Sequence, residues 1–374
     1  MEKKSSISLC MIVKNEEESI SRCLDSIQNL VDEIIIVDTG STDRTKEICE
    51  KYNSKIYNYT WDESFSNARN FGLTKATKEW ILFLDADEEI IFKNLTGLKK
   101  LLNSTAKKIF LIPIINYYGT FPTTPKKSYL FASQRLFKNH SGFKFIGSIH
   151  EHLNIRDFNK DFINEIDIIP NIEIHHYGYM DSVIKEKDKS NRNLNLLEKE
   201  RDSFDYDPWI DYHIASEYYN IGRYEIALKE LNLSIIRFLQ NGVLPPSLLY
   251  KLKYEILINT KNYSEAKAGI NKAILLYPEY VDLHFYKGII LFEEKSFQEA
   301  ISVFKHCIKL GETNLQHLIL AGNGSYTAWY FIGCCYENLG NYKKAFDSYT
   351  KAINIYPDYD EAQLKLSKLP KFQN

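Results

Sequence analysis

The apolar positions of the first ninety or so residues fall into short, closed runs. ISLCMIV (7–13), EIIIVD (33–38), SKIYNYTW (54–61) and WILFLD (80–85) each read as a strand. Between them the spacing turns helical. Residues 16–30 put Ile20, Leu24, Ile27 and Leu30 on one face, STDRTKEICEKY (41–52) predicts a second helix with Ser41 or Thr42 as its cap, and SFSNARNFGLTKAT (64–77) a third. Strands alternating with helices of this length predict an α/β domain around a parallel-centred sheet. Beyond Asp87 the pattern is less regular, with strands expected near 109–116, 130–137 and 166–176.

Near residue 205 the pattern changes to helix after helix, and a repeat emerges. Trp329, Gly333, Tyr336, Ala345, Tyr349, Ala352 and Pro357 form a ladder of two helices with small residues at their crossing and a closing proline. Ala266, Ile270, Ala273 and Pro278 repeat its second half. Gly288, Ala300, Phe304 and Cys307 repeat its centre, and Ala215, Tyr218, Ala227 and Leu231 give a degenerate first copy. Unrelated amphipathic helices do not readily share one ladder. The expected organisation is an α/β domain over 1–204 and an all-α tetratricopeptide solenoid of about four units over 205–374.

Composition narrows the function. The chain has 374 residues, 44% of them hydrophobic, enough for two cores. A net charge of −2 supplies no global basic field for nucleic acid. Six cysteines without CxxC spacing argue against zinc knuckles and against a disulfide framework, and fit a reducing cytoplasm. The first apolar run is short and ends in KNEEE, which reads as a strand rather than a signal peptide, and no run reaches the ~18 residues of a membrane span. A soluble, cytosolic protein is expected.

The chemistry concentrates where strands end. EWILFLDADEEI (79–90) runs an apolar strand into Asp85, Asp87, Glu88 and Glu89, and EIIIVD ends in Asp38. Ligands of open α/β sheets bind at the carboxyl ends of strands. Carboxylates gathered there repel one another unless a cation or a ligand's donor groups join them. A hard divalent cation takes carboxylate together with phosphate oxygens, so the pattern anticipates a phosphorylated ligand with its metal. The plainer alternative is a solvated turn at Asp87–Glu89.

Four motifs in order, SLCMIVKNEEESISRCLDSI, EIIIVDTGSTDRT, SFSNARNFGL and FLDADEE, resemble the family-2 glycosyltransferases of the GT-A fold over about residues 7–90. RLFKN (135–139), FKFIGSIHEHL (143–153) and IEIHHYGY (172–179) resemble a narrower branch in which a GT-A domain precedes tetratricopeptide repeats, the branch of the sublancin-type S-glycosyltransferases that modify bacteriocin peptides. The resemblance implies an inverting enzyme that draws on a UDP-sugar, UDP-glucose or UDP-N-acetylglucosamine, with Mg²⁺ or Mn²⁺ as cofactor. It implies Asp38 at the nucleotide base or ribose, and Asp43 shaping that pocket or serving as a helix cap. Arg69 would lie against the nucleotide or its diphosphate, or form an exposed helix salt bridge. Asp85 would bind the donor ribose or a metal-bound water, and Asp87 would ligate the metal.

Alternation along IEIHHYGY places Ile172, Ile174 and His176 on one face of a strand, and the resemblance implies His176 as the second metal ligand, the alternative being a structural histidine. In GSIHEHL, Glu151 is the candidate general base, with His150 or His152 orienting or replacing it. In the basic run Lys185, Lys187, Lys189, Arg192, the last is the candidate cap on the diphosphate, and a solvated helix face is the plainer reading. A solenoid groove suits an extended peptide, so the acceptor is expected to be a peptide or protein, with dimerisation as the competing use of the repeats. A glycan or lipid-linked acceptor is the runner-up. A sugar-nucleotide pyrophosphorylase would need a glycine-rich phosphate loop where KNEE stands. A repeat adaptor with a degenerate α/β domain has no need of the acids at 38, 85, 87 and 151.

Overall fold

The computed structural model describes residues 5–169, 171–180, 189–202 and 206–370. The chain divides into two compact units: 1–123 with 132–200, and 124–131 with 201–374. The short segment 124–131, which the sequence pattern leaves with the α/β part, therefore packs with the helices.

The first unit is built on one large sheet. Strands β1 (Ile7–Val13), β2 (Glu33–Asp38), β3 (Lys55–Asn58) and β4 (Trp80–Phe83) alternate with helices α1 (Ile20–Ile27), α2 (Thr45–Glu50) and α3 (Phe65–Leu73). β5 (Glu88–Phe92) and α4 (Leu95–Ser104) follow, then β6 (Ile109–Gly119), β7 (Ser128–Lys138), the short pair β8 (Phe145–Ile146) and β9 (His152–Leu153), β10 (Ile166–Ile168) and β11 (Ile172–Met180). The order across the sheet is β3-β2-β1-β4-β7-β6-β11-β5. β1 pairs parallel with β2 and with β4, and β2 with β3. β7 then joins β4 antiparallel, so the parallel core carries a mixed flank. Every residue of β1 but Ile12, and every residue of β2, is buried, as their unbroken apolar runs require. The buried side chains of α1 are Ile20, Cys23, Leu24 and Ile27, one stripe at helical spacing.

Two elements depart from the pattern in the sequence, each for a tertiary reason. The second helix opens at Thr45 rather than after Ser41 or Thr42. Ser41 Oγ instead accepts the Asn15 amide at 3.0 Å, and the Thr42 amide donates to Asn15 Oδ1 at 2.8 Å. The acids after β4 are no solvated turn: Glu88 is fully buried and begins β5, which pairs antiparallel with β11.

In the second unit the described helices form four antiparallel pairs: Trp209–Asn220 with Tyr224–Gln240, Ser247–Asn259 with Tyr263–Leu276, Val281–Glu293 with Phe297–Leu310, and Tyr326–Asn338 with Tyr342–Ile355. Asp360–Lys368 follows as a last helix. The small residues of the ladder sit where helices cross. A Cβ on Gly288 would meet the Phe304 ring at 2.5 Å, and one on Gly333 the Tyr349 ring at 2.5 Å. No helix among the described residues is long and apolar enough to cross a membrane. All six cysteines are free and buried.

Candidate active site

The loops after β1 and β2 are laced together by side chains. The Glu16 amide donates to Thr45 Oγ1 at 2.7 Å and the Glu17 amide to Asp43 Oδ2 at 3.1 Å. Asp43 Oδ1 accepts the amide and hydroxyl of Thr45 at 3.0 and 2.6 Å. Burial tends to raise the Asp43 carboxyl, but these hydrogen bonds hold it below the usual range. Both of its oxygens are committed to shaping the loop. Asp38 differs. Its Oδ1 accepts the amides of Gly40 and Ser41, both at 3.0 Å, and Lys46 Nζ stands 3.8 Å away. Its Oδ2 is buried with no hydrogen-bond partner. A buried carboxylate oxygen left unpaired costs on the order of 1–3 kcal/mol, which a ligand hydroxyl or amine at that spot would recover.

At the end of β4 the acids are held by two arginines. Arg69 projects from α3, caged at its N-terminus by Ser64 Oγ accepting the Asn67 amide. The Arg69 side chain is buried, not displayed on an exposed helix face. Its Nε donates to Glu151 Oε1 and its Nη2 to Asp85 Oδ1 at 2.7 Å, so one guanidinium joins the two carboxylates. Phe83 and Phe145 lie over it at 5.1 and 5.5 Å. Its Nη1 is buried without a partner. Beneath it a cavity of about 10 Å³, room for one water, is lined by Cys10, Met11, Val37 and Gly72 among others. Arg135, on β7, is the second cation. Its Nη2 donates to Glu88 Oε1 at 2.5 Å and stands 3.9 Å from Asp85 Oδ2. Burial alone would raise the Asp85 carboxyl, yet Arg69 and Arg135 hold it well below the usual carboxylate range. Burial prevails at Glu88, whose carboxyl is pushed up against the pull of Arg135.

Asp87 has a different neighbour. His176, on β11, directs Nε2 to Asp87 Oδ1 at 3.4 Å, and its Nδ1 meets Asn116 Oδ1 at 2.6 Å. Burial would lower the imidazole, but Asp87 draws it above its ordinary value. Gly178 keeps this spot open. A Cβ there would come within 2.6 Å of both Asp87 Oδ2 and His176 Nε2. Among the described residues no group of three or more His, Cys, Asp or Glu side chains is placed to hold a metal. An aspartate–imidazole pair beside an open position suits a divalent cation that takes its remaining ligands from phosphate and water.

The sequence-predicted residues thus fall into groups. Asp85, Arg69 and Glu151 form one ion-paired chain, and Asp87 and His176 a second pair. Asp38 and Asp43 lie on the β2 side. His150 is exposed, with its backbone in the left-handed region at φ 51°. Arg192 is exposed on the helix Lys189–Arg201, its guanidinium 5.5 Å over the Phe65 ring and its Nη2 donating to Asn193 Oδ1 at 3.2 Å. Lys185 and Lys187 lie outside the described residues. Sequence reasoning missed Arg135, Asn116 and Gly178. The signals were present: RLFKN puts a charge inside an apolar strand, and the glycine of HHYGY sits in one.

Comparison with known proteins places this arrangement in a class. The profile described as "Glycosyl transferase family 2" matches residues 8–163, and tetratricopeptide-repeat profiles match 257–314 and 326–359. A TPR repeat-containing protein of Synechococcus elongatus is 30% identical over 285 residues, 74% of this chain and 67% of that protein. Residues 8–163 thus form a glycosyl transferase family 2 domain, and tetratricopeptide repeats follow it in the chain. The SPbeta prophage-derived glycosyltransferase SunS of Bacillus subtilis is 28% identical over 290 residues, 75% of this chain and 65% of that protein. The match thus spans about two thirds of the length of these relatives. Among solved structures, YrrB, a TPR protein, is 21% identical at a TM-score of 0.38, covering 50% of this chain and 88% of its own.

Proposed function

We propose that the chain is an inverting, metal-dependent glycosyltransferase that moves a hexose or N-acetylhexosamine from its UDP-sugar to a peptide or protein. The observation that carries this reading is the Arg69 bridge, which sets the donor-side acid Asp85 and the candidate base Glu151 on one guanidinium. In the reaction the acceptor atom bonds to the sugar's C1 as the bond from C1 to the diphosphate oxygen breaks, and the acceptor's proton passes to Glu151. Arg69 fixes one Glu151 oxygen, leaving the other to take that proton. The unpaired Asp38 Oδ2 receives a polar group of the nucleoside. Asp87 and His176 would hold Mg²⁺ or Mn²⁺, which stabilises charge on the departing diphosphate. Two points support a macromolecular acceptor: the repeats, a fold used for peptide and protein recognition, and the likeness to a prophage glycosyltransferase that also matches beyond the catalytic region.

The test is direct. The protein is incubated with UDP-glucose and UDP-N-acetylglucosamine, Mn²⁺ and a panel of Cys- and Ser-containing peptides, and products are weighed intact. A peptide gaining one sugar mass, with loss of that product in chelator, is the expected result. Sugar appearing only on glycan acceptors would redirect the acceptor assignment. No donor hydrolysis and no metal-dependent UDP binding would sink the enzymatic reading altogether.

A further inference from the structure

The repeat unit contains something its ladder does not explain. Between successive helix pairs a short connection suffices, as at residues 277–280, but helix Phe297–Leu310 reaches helix Tyr326–Asn338 only through residues 311–325. This insertion forms a strand, Ile319–Leu320, that pairs antiparallel with Leu130 and Tyr129. The Ala321 amide donates to the Ser128 carbonyl at 3.0 Å, which extends the pairing. Glu312 braces the insertion by accepting the amides of Gly322 and Gly324 at 2.9 and 3.0 Å.

The first helices of the second and third pairs face the same segment. Lys251 Nζ lies 4.9 Å over the Tyr129 ring and donates to Glu255 Oε2 at 2.9 Å. Asp282 accepts the Leu320 amide at 3.1 Å. Tyr326 donates its hydroxyl to the Lys126 carbonyl, and Leu130 packs on the core that holds Tyr280, Tyr286 and Ile290. Lys251, Asp282 and Ser128 are 2%, 0% and 0% exposed. Charges are buried to this degree only when something covers and pairs them. An extended backbone held by strand pairing, with aromatic and aliphatic side chains alternating into pockets, is how peptides are gripped by strand addition.

We propose that this face of the tetratricopeptide repeats is a peptide-binding site whose occupant is the chain's own segment Thr124–Phe131, TPKKSYLF. The repeats clamp the connection between β6 and β7 in cis, and an acceptor peptide is not laid along that face. The inference sharpens the acceptor half of the reading above but stands apart from the transfer chemistry. It survives if the protein proves to transfer sugar to something else.

Hydrogen exchange on the full-length protein tests it, together with binding of a fluorescent TPKKSYLF peptide in trans. In the unaltered protein, amides in 128–131 should exchange at least about tenfold more slowly than the same amides in the free peptide, those in 319–321 should be protected with them, and the labelled peptide should not bind. Tyr129→Ala with Leu130→Ala weakens the resident segment and should let the labelled peptide bind saturably. Should that double variant lose its helical signal, Lys251→Met read by exchange alone serves: the increase should be confined to 128–131 and 319–321. Exchange in 128–131 as fast as in free peptide, or equal peptide binding by the unaltered protein, would overturn the clamp.

Discussion

Two buried clusters of charge, one in each unit, resolve an excess of acid in opposite ways. At the end of β4, Asp85, Glu88 and Glu151 share Arg69 and Arg135, and Asp87 stands with His176 beside the opening left by Gly178. Under the repeats, Asp282 and Glu255 share Lys251. There burial pushes the Asp282 carboxyl up to about 7 despite Lys251. The first cluster holds Asp85 ionised through its two arginines and leaves an open position beside Asp87 and His176. The second closes over its acids, spends its acceptors on the chain's own backbone and relieves the excess with a proton. Buried charge of the first kind points to a ligand, and of the second kind to an internal joint.

The contrast can be broken by substitution, beginning with the largest expected effect. Glu151→Gln keeps the shape but cannot take a proton, so transfer should fall by ~10²–10⁴ while UDP binding, followed by calorimetry, hardly changes. A spared rate, with His150→Ala inactive, would pass the base to the histidine. Asp87→Ala removes one side of the open pair. It should lower transfer by ~10²–10³ and abolish Mn²⁺-dependent UDP binding. Retained metal-dependent binding would mean that the cation sits elsewhere.

Stability measurements sharpen the other side. Arg135→Met strands Glu88 in the core, and breaking such a buried pair typically costs ~3–5 kcal/mol. Thermal unfolding of the α/β unit should shift accordingly, and Arg135→Met with Glu88→Gln should recover part of the loss. At Asp282 the folded unit holds a proton that the unfolded chain, with its ordinary carboxyl, releases near pH 4. Its contribution is therefore complete below about pH 4 and lost as pH rises to about 7, at most about 4 kcal/mol. Asp282→Asn should flatten denaturant-measured stability across that window. An unchanged slope would remove the proton from the account. Glu33 is the control with opposite sign. Its oxygens accept from Ser8, Lys55 and Thr77 at 2.6–3.0 Å, and although burial opposes them these partners lower it to about 2. Its contribution, about 3 kcal/mol at most, is present above pH 4.5 and lost as pH falls toward 2. Glu33→Gln should abolish that acid-side slope and lower stability near neutrality by up to the same amount, with no new pH dependence there.

Which of these features the sequence discloses follows from how far apart their causes lie along the chain. Strands β1, β2 and β4 are written in unbroken apolar runs, and the acids that end them need no other residue to be noticed. The repeat ladder is likewise local, because each small residue answers an aromatic one about sixteen positions on, as Gly288 answers Phe304. The start of α2 was misplaced because Asn15, in a different loop, takes Thr42 and Ser41 away from it. β5 goes unmarked in the sequence, and a turn stays open there as an alternative, because the partner that buries Glu88 is Arg135, on another strand. His176 could be aligned with Asp87 by motif order, whereas Gly178 acquires its meaning only from the distances around it. Segment 124–131 was invisible for the same reason: nothing within it names the helices that cover it.

That last pairing also sets a clock for synthesis. Leu130 meets Ile319, so 319 − 130 = 189 residues must be added before the two strands can join. At ~5–20 residues per second a ribosome needs on the order of 10–40 s for that stretch. Through this interval Tyr129, Leu130 and Phe131 stand without the helices that will cover them, and the start of β7 is an unpaired edge in a nascent chain. The two lysines just upstream, Lys126 and Lys127, are the kind of residues that keep such an edge from joining a neighbour's. The wait ends only when the fourth helix pair begins to emerge.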